Sequence, residues 1–207
     1  MTKQTTEDWL ASLAAKQPTP GGGAVAALLA ATAAALLGMV SIYTTGPKWP
    51  TQSDNMKKLS DKLDVLRRSG LTLMAKDEEA FAKVGAAYQL IHETAHQKAV
   101  RKDAIEQALI GAAEPPTQVI QLSVDLLAIA RELAKSGNPN VISDVSVAAS
   151  SIRAALDAAI VNIEVNQQFI KRSDAKNKLQ SIIEQAKDAS LQTEQVVSQV
   201  RERIKKL

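Results

Sequence analysis

The 207-residue chain has no cysteine, and this absence excludes several classes of function at once. Disulfide scaffolds, thiolate nucleophiles, cysteine-ligated zinc and iron–sulfur clusters all require that residue. A chain without it fits a reducing compartment, and we expect a cytoplasmic protein. Aromatic residues are also scarce, at 3% of the sequence, whereas alanine is abundant. This composition favours closely packed helices over a β-sandwich or barrel, so we predict an all-α fold.

Metal ligands and basic surfaces are equally sparse in the sequence. Its two histidines, His92 and His96, stand four residues apart without a Glu-x-x-His pattern, so we predict no metal site. The net charge of +3 resides in residues 201–207, whose cations suit the C-terminal end of a helix dipole. Because no basic face with interleaved aromatic residues is evident, we predict no nucleic-acid partner.

A charge-free segment between Lys16 and Lys48 raises the question of a membrane span. The apolar run 24–42 is nearly long enough to cross a bilayer, but alanine dominates it and contributes little transfer energy. The N-terminus does not show basic, apolar and small-residue segments in signal-peptide order. We therefore predict a buried central helix and no membrane partner, since small side chains let neighbouring backbones approach closely.

Helical periodicity with short breaks predicts about seven helices and no strand. Their expected bounds are about 6–15, 22–43, 53–90 with a possible bend at Gly70, 95–114, 115–137, 144–171 and 174–206. Thr94 and Gln97 have the spacing of a capping box. Pro115 and Pro116 suit a first helical turn, and Ser143 can cap the sixth helix.

The chain shows no internal division. Since no linker rich in Gly, Ser or Pro separates two halves, we predict one domain over residues 1–207. Helices this long cannot all cover one another in a small monomer. We therefore expect self-association through the alanine-rich helix.

The third helix carries a carboxylate on the face that its spacing predicts to be buried. Residues spaced by three or four form that face: Met56, Leu59, Leu63, Leu66, Gly70, Met74, Asp77, Phe81, Val84 and Tyr88. A buried carboxylate is costly unless it is paired, hydrogen-bonded or protonated. Asp77 is therefore either a general acid or base whose pKa is raised by burial, or a structural partner of a lysine or arginine on another helix.

The glycine-rich turn 18–24, Pro-Thr-Pro-Gly-Gly-Gly-Ala, opens the second helix. Gly21, Gly22 and Gly23 expose backbone N–H groups at a positive helix end, where an anion or a polarised carbonyl can dock. No strand precedes the turn and no Gly-Lys-Ser/Thr follows it, which excludes the dinucleotide-binding and phosphate-loop motifs. The alternative is a tight helix-entry turn without a ligand.

One further pair of polar residues lies in the turn at the start of the sixth helix, and a second pair lies on the helix itself. Asn138 and Asp144 lie in the turn 137–144, where ordinary turn formation and the helix dipole already account for both residue types. Asn162 and Asn166 stand four residues apart on the helix. Asn166 lies on the apolar stripe of that helix, which consists of Ile152, Leu156, Ala159, Ile163 and Ile170. Its amide needs a partner, which is either a core hydrogen bond or a ligand.

Taken in order, these motifs resemble the cyclodeaminase/cyclohydrolase family of one-carbon folate metabolism over residues 5–175. The shared motifs are Pro18-Thr-Pro-Gly-Gly-Gly-Ala-Val-Ala-Ala27, Met39-Val40, Asp77-Glu-Glu-Ala-Phe81, Arg101-Lys-Asp-Ala-Ile105, Ala108-Leu109, Pro116, Gly137-Asn-Pro-Asn-Val-Ile-Ser-Asp144, Val147-Ala-Ala149 and Asn162-Ile-Glu-Val-Asn166. The resemblance implies an all-helical homodimer without a metal or a cofactor. It also implies a folate cleft near the glycine-rich turn and the dimer interface.

The resemblance assigns roles to particular residues of this chain. Asp77 occupies the position of the family's proposed acid/base in its Asp-x-x-Ala-Phe motif. The glycines 21–23, with Asn138 and Asp144, are expected to hold the pterin ring, and Arg101 and Lys48 the glutamate tail. Asn162 and Asn166 are added as candidate folate contacts.

The chain departs from the family pattern in several places. Ala24 replaces the usual serine after the three glycines, and Leu90-Ile-His92 stands where Leu-Pro-Lys is common. The C-terminal helix, 171–207, diverges as a whole. Three functions remain open: a methenyltetrahydrofolate cyclohydrolase, which we favour because no formiminotransferase domain accompanies the chain, a formimidoyltetrahydrofolate cyclodeaminase, and a non-catalytic folate-binding or scaffold protein.

Overall fold

The computed structural model describes residues 5–207, and this part of the chain is helical with no strand. The helices are α1 (Thr6–Ala14), α2 (Gly22–Tyr43), α3 (Ser53–Tyr88), α4 (Ala95–Ala112), α5 (Glu114–Ser136), the single-turn 3-10 helix η1 (Pro139–Val141), α6 (Ile142–Phe169) and α7 (Ser173–Ile204). The predicted all-α class is confirmed.

Local capping chemistry accounts for several helix starts. The Thr94 side chain accepts a hydrogen bond from the Gln97 N–H while the Gln97 side chain accepts one from the Thr94 N–H, which confirms the predicted capping box. Pro115 lies in the first turn of α5, as predicted. The predicted Ser143 cap is wrong, because η1 leads directly into α6, which begins at Ile142 without a side-chain cap.

The alanine-rich helix α2 lies at the centre of the fold. It packs against α3, α5 and α6, and eleven of its residues are buried. Within residues 5–207, two helical segments, Gly22–Tyr43 and Pro139–Phe169, have the length and composition of a membrane span. Half of the first window and 44% of the second are buried inside the fold, so each also serves as a core helix.

The helices α2 and α3 run antiparallel and approach closely. A Cβ placed on Gly38 would lie 3.8 Å from the Leu63 Cβ, and one on Gly70 only 2.9 Å from the Ala31 Cβ. Gly70 lies within the continuous helix α3, against Ala31 of α2. Glycine is required at this position because α2 leaves no space for a side chain.

The buried stripe of α3 ends earlier than its periodicity predicts. Met56 and Leu63 are buried, but Phe81 is 50% exposed and Tyr88 45% exposed, so their predicted burial is wrong within one chain. The register explains the difference. The first turn of α2 lies opposite Asp77, so the last three turns of the 36-residue α3 extend beyond the 22-residue α2.

The C-terminal helix α7 joins the same hydrophobic core. Its buried residues, among them Ile183, Ala186 and Val200, pack on α6 and α5 in one cluster that also contains the alanines of α2. Arg203 donates hydrogen bonds to the carbonyl oxygens of Ala134 and Gly137, which fastens the end of α7 to the end of α5. The divergent helix 171–207 is therefore an integral part of the packing.

Candidate active site

The N-terminus of α2 receives a carboxylate from α3. A Cβ placed on Gly23 would lie 2.0 Å from the Asp77 Oδ1, so only glycine at this position admits the carboxylate. The Ala24 N–H donates a hydrogen bond to it. The N-cap residue of α2, Gly21, supplies no side-chain cap, and the first N–H groups of a helix have no acceptor inside it. Asp77 therefore caps α2 from a neighbouring helix.

The electrostatic environment of Asp77 raises its pKa. Burial is the main cause, because it penalises the charged form, and the negative charge of Glu78 acts in the same direction. The hydrogen bond from Ala24 opposes both effects by stabilising the carboxylate. A carboxyl group with a raised pKa is suited to accepting and returning a proton near neutral pH.

No lysine or arginine neutralises Asp77 within residues 5–207, where the ion pairs all join other groups. In this part of the chain, Asp77 is therefore not the structural partner of a basic residue. The partner of the carboxylate is a backbone N–H, and one hydrogen bond leaves much of its accepting capacity free. Glu79 is exposed and pairs with Lys83, in agreement with a solvated position.

Two amide side chains of α6 face the glycine turn. The Asn162 Nδ2 donates to the Ala158 carbonyl oxygen at 2.8 Å, and the Asn166 Nδ2 donates to the Asn162 carbonyl oxygen at 2.9 Å. The Asn166 Nδ2 also lies 3.5 Å from the carbonyl oxygen of Ala112, at the end of α4. A Cβ on Gly22 would lie 3.6 Å from the Asn162 Nδ2, so the Asn162 amide reaches the turn itself.

These groups surround one cleft of about 180 Å³. The glycine turn forms one wall, Asp77 and Phe81 of α3 form the second, and α6 forms the third. The α6 wall consists of Val161, Asn162, Val165 and Asn166. Among the described lining residues Asp77 alone carries a charge, so the cleft combines one carboxylate with polar amides and an apolar rim.

The structure brings together six of the ten predicted site residues: Gly21, Gly22, Gly23, Asp77, Asn162 and Asn166. Sequence reasoning missed the rim. The periodicity of α3 assigns Phe81 to the core, and no sequence motif singles out Val161 or Val165. The one-turn spacing of the two valines, each one position before an asparagine, is the signal that could have identified them.

Asn138 lies at the opposite end of α2. Its backbone N–H donates to the Thr44 Oγ1 at 3.0 Å and its Nδ2 to the Tyr43 carbonyl oxygen, so it closes the C-terminal end of that helix. The 22 residues of α2 separate this position from the glycine turn by about 33 Å. Within one chain, Asn138 therefore cannot share a ring-binding wall with Gly22.

Asp144 is equally distant from the cleft within one chain. It lies in the first turn of α6, eighteen residues before Asn162 on the same helix, which corresponds to about 27 Å. Because one chain does not bring Asp144 to the cleft, a contact between this residue and the same ligand requires a second chain. That contact remains a prediction.

The two predicted tail contacts also lie outside the cleft. Lys48 is exposed in the loop between α2 and α3. Arg101 is half-buried, where its guanidinium donates to the Tyr88 carbonyl oxygen at 3.0 and 3.3 Å and lies 5.7 Å from the centre of the Tyr88 ring. Arg101 thus closes the C-terminal end of α3 and fastens α4 to it. Contact of either residue with a ligand remains a prediction.

Larger grooves elsewhere on the surface have a different chemical character. One of about 510 Å³ between α6 and α7 is lined by Arg153, Asp157 and Glu194, and Arg153 forms an ion pair with each of the two carboxylates. Within residues 5–207, no group of three His, Cys, Asp or Glu side chains could hold a metal ion. The 180 Å³ cleft combines a carboxylate without a basic partner with amides and an apolar rim, and this combination makes it the candidate site.

The chain is similar to known proteins over most of its length. The family model described as formiminotransferase-cyclodeaminase matches residues 5–185. The chain is 34% identical to the methenyltetrahydrofolate cyclohydrolase of Methylorubrum extorquens over 97% of its own length and 98% of that protein. It is 28% identical to the formimidoyltransferase-cyclodeaminase of Rattus norvegicus over 84% of its length but only 33% of that protein. The crystal structure of formiminotetrahydrofolate cyclodeaminase from Thermotoga maritima superposes with a TM-score of 0.83 at 26% identity, over 98% of this chain and 96% of that one.

Proposed function

The chain belongs to the formiminotransferase-cyclodeaminase family, and from this premise we propose that it is a methenyltetrahydrofolate cyclohydrolase. The enzyme converts 5,10-methenyltetrahydrofolate to 10-formyltetrahydrofolate. The full-length likeness to a cyclohydrolase supports this activity, since the mammalian bifunctional relatives are matched over only a third of their length. We propose a cytoplasmic enzyme that needs no metal or cofactor and has no membrane or nucleic-acid partner.

The observation that carries the proposal is the position of Asp77, which is half-buried at the N-terminus of α2, has a raised pKa and pairs with no cation of residues 5–207. In the reaction, water attacks the cationic carbon between N5 and N10 while the Asp77 carboxylate accepts a proton from it. The tetrahedral intermediate then collapses to the N10-formyl group: its hydroxyl proton is lost to solvent as the carbonyl forms, and the protonated Asp77 returns its proton to N5 as the bond between carbon and N5 breaks. One water is consumed and one proton is released, which balances the positive charge of the substrate.

A cyclodeaminase activity is the second candidate, and the likeness to the Thermotoga maritima structure favours it. In that reaction N10 attacks the formimino carbon and Asp77 protonates the departing ammonia. Both reactions pass through a tetrahedral carbon between the same two nitrogens, so the same cleft suits both. A folate-binding protein without activity is the third candidate, since Ala24 and the 90–92 segment depart from the family pattern.

We further propose that two chains complete the site. A cleft of about 180 Å³ is smaller than ordinary small-molecule pockets, which enclose about 300–1,000 Å³. The outward face of α2 is uncharged, with Ile42 60% exposed and Tyr43 57% exposed, and such a face suits a partner chain. Antiparallel pairing of two α2 helices brings Asn138, Asp144 and Lys48 of one chain towards the glycine turn of the other.

The test is the decay of methenyltetrahydrofolate absorbance with the wild-type protein and with Asp77→Asn. We expect the substitution to lower the rate by about 10²–10⁴-fold, the usual contribution of general acid–base catalysis. The amide oxygen that the substitution introduces still accepts from the Ala24 N–H, so the fold is retained. Asp61→Asn, which changes an exposed carboxylate on the same helix, is the matched control with an unchanged rate.

Each outcome decides between the three candidates. Acceleration that disappears in Asp77→Asn supports the cyclohydrolase. If the wild-type protein releases ammonia from formiminotetrahydrofolate but does not open the methenyl ring, the cyclodeaminase is correct. Full activity of Asp77→Asn would remove Asp77 from the mechanism, and binding without either reaction would establish the non-catalytic candidate.

A further inference from the structure

The amides of Asn162 and Asn166 are oriented by their own helix. Each Nδ2 donates to the carbonyl oxygen four residues earlier, at 2.8 and 2.9 Å. Reversing either amide would direct its oxygen at that carbonyl oxygen, which accepts but cannot donate. The orientation of both groups therefore follows from the hydrogen-bonding chemistry of the helix.

This orientation leaves the two amide oxygens available. Within residues 5–207 neither Oδ1 accepts a hydrogen bond, and neither is a buried oxygen without a partner. Both residues line the cleft, and they are one helical turn apart. The α6 wall thus presents two free acceptors side by side, next to the second N–H of the Asn162 amide.

The remaining lining restricts which part of a substrate can enter. The carboxylate of Asp77 is a third acceptor, and Phe81, Val161 and Val165 form an apolar rim. No lysine or arginine is among the described lining residues, so an anionic group would enter without a cationic partner. A planar ring that carries N–H donors along one edge satisfies the acceptors and covers the apolar rim.

We propose that Asn162 and Asn166 determine the orientation of the substrate by accepting hydrogen bonds from the N–H edge of its ring, the edge that carries the 2-amino group. This inference rests on the proposed folate function. It adds which end of the substrate enters the cleft and which atoms hold that end. The glutamate tail then lies outside the cleft. Neither asparagine transfers a proton, and both are binding residues.

Threonine offers a substitution that preserves the helix. Thr32, Thr72 and Thr117 of this chain each donate to the carbonyl oxygen four residues earlier, at 2.8 to 3.0 Å. Asn162→Thr and Asn166→Thr therefore keep the local hydrogen bond and remove the amide oxygen from the cleft. Asn162→Thr is the cleaner variant, because Asn166 also contacts the Ala112 carbonyl oxygen. Gln168→Thr is the matched control, since Gln168 is exposed on the same helix and does not line the cleft.

The experiment measures binding of 5-formyltetrahydrofolate, of its 2-desamino analogue and of two fragments by calorimetry. The fragments are 6-methyltetrahydropterin, which is the ring alone, and p-aminobenzoylglutamate, which is the tail alone. We expect each asparagine variant to weaken folate binding about fivefold, the usual effect of one neutral hydrogen bond, and Gln168→Thr to leave it unchanged. The 2-desamino analogue should bind the wild type and Asn162→Thr equally, and the ring fragment should lose affinity in the variant while the tail fragment does not.

The outcomes separate this inference from the proposed function. If the 2-desamino analogue and the parent lose affinity equally in Asn162→Thr, the asparagine is structural and the inference is overturned. A loss confined to the tail fragment reverses the substrate and also overturns it. Dependence on Asn162 without any turnover would sustain the inference and reject the enzyme. Turnover with unchanged binding in both variants would reject only the inference, and the absence of any folate binding would reject both.

Discussion

The polar residues at the two ends of α2 are of similar types, but the fold uses the hydrogen-bonding groups of one set and leaves those of the other set partly unused. At the C-terminal end Asn138 donates to Thr44 and Tyr43, and its Oδ1 accepts the Asn140 N–H, so its side-chain amide is used within the fold. At the N-terminal end the Ala24 N–H is the backbone partner of Asp77, and the amide oxygen of Asn162, which lines the cleft, accepts no hydrogen bond within residues 5–207. Residue type does not separate a binding group from a structural one. The distinction is the hydrogen-bonding capacity that folding leaves unused.

The contrast between the two ends of α2 predicts its largest effect at Gly23. In Gly23→Ala the new Cβ would lie 2.0 Å from the Asp77 Oδ1, so the carboxylate must move away from the cleft. We expect turnover to fall by about 100-fold or more, because a proton-transfer group displaced by an ångström loses its geometry. The displaced carboxylate also no longer caps α2, so we expect the free energy of unfolding to fall by about 0.5–2 kcal/mol. The measurement is the rate of methenyl decay together with urea unfolding.

Gly85→Ala is the matched control for this prediction. A Cβ at Gly85 meets no atom within 4 Å, and the residue is exposed on α3. Alanine there should leave turnover unchanged and stabilise the helix by about 0.5–1 kcal/mol. Equal turnover in Gly23→Ala and Gly85→Ala would show that the contact between Gly23 and Asp77 has no part in the reaction.

A substitution at the opposite end of α2 should change the stability of the fold. Asn138→Ala removes the hydrogen bond to the Tyr43 carbonyl oxygen and the one from the Asn140 N–H, so we expect the free energy of unfolding to fall by about 1–2 kcal/mol. Asn140→Ala, which removes an exposed side chain from the same turn, should cost less than about 0.5 kcal/mol. Urea unfolding of both variants measures the difference.

The KM of Asn138→Ala decides what this end does in a dimer. An unchanged KM assigns Asn138 to helix closure alone. A raised KM in a fully folded variant would show that it reaches the partner chain's cleft, and would end the contrast between the two ends of α2.

The helices could be predicted from the sequence because their signals are local. The Thr94 capping box and the prolines that open α5 act within one turn, and their effect does not depend on the rest of the chain. Asp77 could also be identified from one helix, because a carboxylate on an apolar stripe is unusual wherever that stripe packs. Its partner could not, since the Ala24 N–H approaches it only through the packing of α2 on α3.

Predictions that depend on the register between helices are less successful. Phe81 and Tyr88 continue the periodicity of α3, but α2 begins opposite Asp77 and leaves them uncovered. The sequence of α3 does not show why Gly70 is glycine, because the close approach of Ala31 that requires it comes from the packing of α2 on α3. Asn138 and Asp144 follow the glycine turn in the family's motif order, and order along a chain does not specify distance in space.

The most direct test of the proposed acid–base role is the pKa of Asp77 itself. It is measured by carbon-13 NMR of the side-chain carboxyl, and the signal is assigned with Asp77→Asn. Because burial disfavours the ionised form, we predict a pKa above the ordinary aspartate value. The reaction requires the ionised form to accept a proton from water, so kcat/KM should rise with pH and level off above that same pKa. A pKa at or below the ordinary value, or a pH profile that Asp77→Asn leaves unchanged, would contradict the assignment of Asp77 as the acid and base.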